Sequence, residues 1–146
     1  MESLEQIVKE LIAYSSEEEW FEFKENWYDA NGIGEYISSM SNTAAMLGKD
    51  QAYLVWGVDN DMHEIVGTTV DYHQDVKNEP LEHYLARQTV PDIAFSFHEI
   101  FLENKRIIVL VIPAASKVPT SFNGIRYFRI GSSKVNLAKY PERESR

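Results

Sequence analysis

The stretch EEEWFEFKENW, residues 17–27, sets the reading of this chain. Phe21 and Phe23 alternate with Trp20, Glu22 and Lys24, the period-two pattern of a half-buried strand with a charged face. Upstream, Leu4, Ile7, Leu11 and Ile12 recur at helical spacing, with Ser3 as N-cap and Gln6 three residues on, so residues 3–14 form an amphipathic helix. Downstream, Asp29-Ala30-Asn31-Gly32 reads as a turn, and Ile37, Met40, Ala44 and Leu47 continue as a second helix closed by Gly48. AYLVWGV, residues 52–58, and RIIVLVI, residues 106–112, are almost continuously apolar, as strands covered on both faces are.

The remaining segments are weaker. Residues 75–88 carry Val76, Leu81, Tyr84 and Leu85 among charges and read as a helix interrupted early by Pro80. Ile93 to Phe101 alternates and pairs through a Glu103-Asn104 turn with the second apolar run. Pro113 and Pro119 bracket a loop, Asn123-Gly124 is a turn, and IRYFRIG is a last strand. The expected architecture is one α+β (mixed α/β) domain over residues 1–146, a mixed central sheet flanked by about three helices.

Composition narrows the function classes. The chain has 146 residues, 44% apolar, enough for a real core. With no cysteine, disulfides, zinc thiolates and thiol nucleophiles are excluded. No apolar run approaches the roughly 18 residues of a membrane span, and a cytoplasmic location is expected. The formal charge of −9 is unevenly spread. From Lys105 onward nine basic residues face two acidic ones, which leaves −16 on the first 104 residues. Such asymmetry marks either a polyanion-binding face or two halves that neutralise each other in the fold.

Glu22 and Lys24 share one side of their strand about 7 Å apart. A carboxylate that holds Mg2+ or Mn2+, beside an ammonium that offsets phosphate charge, suits phosphodiester hydrolysis. Glu17, Glu19 and Asp59 are candidates for further metal ligands. The plainer reading of the same pair is a solvated face or a cross-strand ion pair. In the basic half, Arg126, Tyr127 and Arg129 set arginine beside aromatic on a strand, the combination that grips phosphate and stacks a base. Ser132, Ser133 and Lys134 offer hydroxyls, backbone N–H groups and a cation for a phosphate, without the pattern of an ATP-binding P-loop. The plain alternative there is an ordinary strand and polar turn. His63, His73, His83 and His98 lack metal-motif companions.

Five blocks in this order, Glu17-x-Glu19-Trp20-Phe21-Glu22-Phe23-Lys24, GEYISSMSNTAAMLG, YLVWGVDNDMHEIVGT, KRIIVLVIPAA and YFRIGSSK, resemble the schlafen-type AlbA-like domain over roughly residues 15–140. The run Ser41-Asn42-Thr43 to Leu47-Gly48-Lys49-Asp50 is similar to the bacterial subgroup, whose members are described as transcriptional regulators or ATP-binding proteins. The resemblance implies a nucleic-acid-associated fold at the N-terminus of a longer protein whose C-terminal domains would be its partners. In tRNA-cleaving animal relatives, two glutamates and a downstream aspartate form a metal-dependent ribonuclease site. Carried over, these fall on Glu17, Glu22 and Asp59, with Asp61 as the rival third carboxylate and Lys24 as the block's lysine. Glu17 lies an odd number of residues from Glu22, so it joins them only where the chain leaves strand geometry. The animal enzymes pair two such domains in a clamp, whereas this chain carries one, which makes a homodimer a further expectation. The leading expectation is a nucleic-acid-binding regulatory domain that reads DNA or RNA. The alternatives are a metal-dependent endoribonuclease and a protein-interaction module.

Overall fold

The computed structural model describes residues 2–144. Its first sheet is built from the two apolar runs. Helix α1 (Leu4–Ile12) precedes β1 (Phe21–Lys24), helix α2 (Ala30–Met46) follows, and β2 (Gln51–Trp56) pairs parallel to β1 with Phe21 beside Tyr53 and Lys24 beside Trp56. A two-residue ribbon, β3 (Asp75–Val76) with β4 (Glu79–Pro80), leads into α3 (Leu81–Arg87) and the short β5 (Thr89–Val90). A hairpin of β6 (Ser96–Leu102) and β7 (Lys105–Pro113) then adds antiparallel to β2, giving the order β1-β2-β7-β6.

Both faces of this sheet are covered, which explains the unbroken apolar runs. Odd positions of the central strands, Tyr53, Val55, Ile107 and Val109, join Phe21 and Phe23 beneath Val8 and Leu11 of α1. Even positions, Leu54, Trp56, Ile108, Leu110 and Ile112, face Ile33, Ile37 and Met40 of α2. Each such fully buried side chain contributes about 1.5–3 kcal/mol of transfer free energy.

A second four-stranded sheet packs on the far side of α2. Its order is β10-β9-β8-β5, with β8 (Ser121–Phe122), β9 (Ile125–Ile130) and β10 (Ser133–Asn136), and a 3-10 turn (Leu137–Lys139) and helix α4 (Pro141–Glu144) follow. The α+β class is as the sequence implies, but two four-stranded sheets sandwich α2 where one central sheet was expected. Between them α2 buries polar residues as well as apolar ones: Ser38, Ser39, Ser41, Asn42 and Thr43 are all buried.

Several boundaries differ from the sequence reading for local reasons. Residues 29–32 are no turn: α2 starts at Ala30, where Gly32 fits tightly against the Trp27 ring and the Asn31 amide oxygen accepts the Tyr84 hydroxyl. The helix expected over 75–88 is only Leu81–Arg87, because Pro80 has no N–H to give the preceding turn and Lys77 and Asn78 bend the ribbon at positive φ. The β6 strand begins at Ser96, not Ile93. The Ser3 and Gly48 signals match: Ser3 Oγ accepts the Gln6 N–H, and Gly48, just past α2, takes φ +72°. Among the described residues no helix is long and apolar enough to cross a membrane.

Candidate functional site

The candidate site lies at the outer edge of β1. The chain reaches β1 through a turn in which the Phe21 N–H donates to Glu18 O, so residues 17–20 are outside strand geometry and Glu17 can fold back. Its carboxylate accepts the backbone N–H of Phe23. With its amide nitrogen turned toward Glu17, Asn60 donates to both carboxylate oxygens at 2.9 Å. Burial pushes the Glu17 carboxyl above its ordinary value; the Phe23 N–H pulls it back and the Glu22 charge raises it further.

Glu22 points to the opposite face, toward α2 and the second sheet. Arg129 of β9 donates from Nη2 to Glu22 Oε1 at 2.6 Å, with both side chains less than 5% exposed. Lys24 Nζ stands 3.6 Å from the other Glu22 oxygen. Arg129 Nη1 also approaches the carbonyls of Glu19 and Phe21, at 3.5 and 3.4 Å, while its Nε has no hydrogen-bond partner. In a parallel pair, alternate residues of an edge strand turn both backbone groups outward. Trp20 O and Lys24 O accept N–H groups of Tyr53 and Gly57 on the β2 side. Of the outward groups, Phe21 C=O is taken by Arg129, Phe21 N–H by the Glu18 carbonyl and Phe23 N–H by Glu17.

Arg129 is placed there by α2. Its backbone N–H donates to Thr43 Oγ1, the Tyr127 N–H donates to Ser38 Oγ, and Asn42 Nδ2 donates to Thr120 O and Tyr127 O while Asn42 Oδ1 accepts the Thr120 N–H. The Ser41 and Thr120 hydroxyls bond each other at 3.0 Å. The polar face of α2 thus substitutes for strand partners along β9. Sequence reasoning missed this socket. Its trace is Ser38, Ser41 and Asn42 at three-four spacing on a helix with no charged residue between Tyr36 and Leu47.

An aromatic step joins the cations above this socket. Lys134 Nζ lies 4.3 Å, Lys24 Nζ 5.4 Å and the Arg129 guanidinium 5.8 Å from the Tyr36 ring centre, and Lys24 also sits over Trp27. Lys134 pairs with Glu35 at 3.2 Å. Ion pairs Glu22–Arg129, Glu35–Lys134 and Glu99–Arg106 all join the acidic half of the chain to the basic half, so three of the nine basic residues from Lys105 onward have carboxylate partners in the acidic half.

Each residue expected to hold a metal has another partner in the structure. Asp59 accepts the Met62 N–H at 2.7 Å and closes the 59–62 turn. Asp61, its rival, lines a cleft of about 450 Å³ with Glu17, Asn60, His63, Arg129 and Ser132. Glu22 faces an arginine, and Glu19 accepts the Gly131 N–H. Among the described residues no three His, Cys, Asp or Glu side chains are grouped to hold a metal ion. The donor set Glu17, Glu22 and Asp59 therefore does not fit Mg2+ or Mn2+: one carboxylate is neutralised by a guanidinium, one caps a turn and one caps a strand edge.

The expected nucleic-acid contacts divide by exposure. Arg126, Ser132 and Ser133 are exposed, and Tyr127 and Lys134 are half-buried. Arg129 belongs to the interior and is withdrawn from that surface, because its guanidinium is the counter-charge of Glu22. The 131–134 segment is no open phosphate loop either, since Ser133 and Lys134 pair with Ile130 and Arg129 in β10.

A model of the family described as Schlafen, AlbA_2 matches residues 17–138. Two solved structures share the fold. The DIP2311 protein of Corynebacterium diphtheriae aligns at 16% identity and TM-score 0.54 over 88% of this chain, which spans only 28% of that longer one. The N-terminal domain of a RecG-related protein from Nitrosomonas europaea aligns at 23% identity and TM-score 0.52, covering 91% of this chain and 92% of the domain. Comparison with curated proteins gives no match.

Proposed function

The chain belongs to the Schlafen, AlbA_2 family, and we propose that it is a nucleic-acid-binding regulatory domain that does not itself cut its ligand. One observation carries the second half of this reading: the Glu22 carboxylate is neutralised inside the protein by Arg129 at 2.6 Å, so it serves the architecture and not a metal. The alternative of a metal-dependent endoribonuclease built on Glu17, Glu22 and Asp59 has no assembled donor set to support it.

The binding half of the reading is supported by the family and by the β9–β10 hairpin. Arg126, Ser132 and Ser133 are exposed on it, Tyr127 and Lys134 are partly so, and Lys139 follows just beyond. These groups supply a short cationic and hydroxyl-bearing rim suited to phosphates, with Tyr127 as an aromatic surface for a base. Their small number implies modest affinity in a chain of net charge −9. The RecG-related description of the Nitrosomonas protein is consistent with a role beside DNA-processing domains of a longer cytoplasmic chain.

Fluorescence anisotropy with labelled single- and double-stranded DNA and RNA tests the reading. Affinity should fall with salt, and Lys134→Glu and Arg126→Glu should each flatten the log–log salt slope by roughly one unit. Absence of salt-sensitive affinity for any of these ligands overturns it and leaves a protein-interaction module as the account of the acidic surface.

A further inference from the structure

The two edges of the first sheet are treated differently. On β1 the outward Phe23 N–H and Phe21 C=O are taken by Glu17 and Arg129. On the opposite edge, β6 runs for seven residues, about 24 Å at roughly 3.4 Å per residue. Among the described residues it pairs only with β7. Its sequence SFHEIFL contains no lysine, proline or glycine of the kind that blunts an edge. Phe101, near its end, is 58% exposed and is the most exposed aromatic side chain in the described structure.

We propose that β6 is a homodimerisation edge, pairing antiparallel with β6 of a second copy about a two-fold axis through Glu99. Opposed residues of an antiparallel pair share a face, so a two-fold axis has to pass through a residue. Centred on Glu99, the register sets Phe101 of each copy against Phe97 of the other, an aromatic cross-strand pair that covers the exposed ring. On the α1 face it opposes Ile100 to His98 and Leu102 to Ser96 of the second copy. This places α1, which packs over β6, beside its symmetry mate.

Charge selects a second copy over an unrelated strand. Glu99 meets its own image at the axis, but each Glu99 carries an Arg106 guanidinium at 2.6 Å. The two pairs then form a neutral four-charge cluster, each carboxylate already compensated by the arginine of its own copy. A chain of net charge −9 has in this edge a place where self-association meets no net repulsion. The product is a continuous eight-stranded sheet in which Glu17, Glu18 and Arg129 already hold three of the four outward backbone groups of each terminal β1, so assembly stops at two copies.

Light scattering coupled to size exclusion, on wild type and Phe101→Lys, tests the proposal. Wild type should show twice the 16.9 kDa chain mass at about 200 μM and shift toward the single mass on dilution, and Phe101→Lys, at an exposed site, should show the single mass with unchanged circular dichroism. A single-mass wild type at that concentration, or a variant that stays double, overturns it. Hydrogen exchange on wild type covers the case of a misfolded variant. Amides of residues 96–102 should gain protection with protein concentration, and concentration-independent exchange contradicts the edge pairing.

Discussion

Glu22 of β1 and Arg129 of β9 lie 107 residues apart in the chain and meet at 2.6 Å where the first sheet, α2 and the second sheet adjoin. The pair makes the edge of one sheet depend on a strand of the other. Burying two charges is costly, but leaving one of them without its partner costs more. Arg129→Met should therefore destabilise the protein by about 3–5 kcal/mol, and adding Glu22→Met should recover much of that loss. Urea unfolding of the two single variants and the double variant measures the coupling; additive losses would mean the charges do not depend on each other.

Asn42 makes three hydrogen bonds to backbone groups of Thr120 and Tyr127. Asn42→Ala leaves two carbonyls and an N–H buried without that partner. A loss of about 2–4 kcal/mol is expected, concentrated in the second sheet. Amide exchange of β8 and β9 should accelerate more than that of β2 and β7; uniform acceleration would show that the socket is not local.

Gly34 lies against the Phe122 ring so closely that an added Cβ would come within 2.2 Å of ring carbons. Gly34→Ala should lower stability by about 1–3 kcal/mol although alanine is the better helix former by about 1 kcal/mol. Combining it with Phe122→Leu should cost less than the sum of the two changes, as thermal unfolding will show. Strict additivity would locate the strain elsewhere.

The Glu17 carboxyl, raised chiefly by burial, gives a pH signature. The folded chain holds this proton more tightly than the unfolded chain. Ionisation thus opposes folding, with no penalty below the unfolded-state pKa and a growing one as pH rises through the folded-state value. Glu17→Gln should accordingly gain stability relative to wild type as pH rises above the ordinary glutamate pKa of about 4.3. A stability difference that is flat with pH would assign the role of Glu17 to its hydrogen bonds alone.

The legible part of this fold was the part written in periodicity. AYLVWGV and RIIVLVI announce strands covered on both faces, and Ser3 with Gln6 and Gly48 mark helix ends, because each signal acts within a few residues. The second sheet was less visible. Residues 133–136 lack an apolar pattern and become β10 only by pairing with β9. Glu22 and Lys24 were read correctly as neighbours on one face, and their contact at 3.6 Å bears this out. That this face is closed by Arg129 depends on how α2 seats β9, which no local spacing of charges reveals. Asp59 looked like a strand-end ligand, yet its nearest donor is the Met62 N–H of its own turn.

Glu22 is the counter-ion of buried Arg129, and the domain is proposed to bind nucleic acid without cutting it. End-labelled tRNA and single-stranded DNA incubated with the chain and Mg2+ or Mn2+, beside Glu22→Gln, test it most directly on a denaturing gel. Intact substrate in every lane is the predicted result. Metal-dependent cleavage by the wild type that disappears with Glu22→Gln would contradict the account and return Glu22 to catalysis.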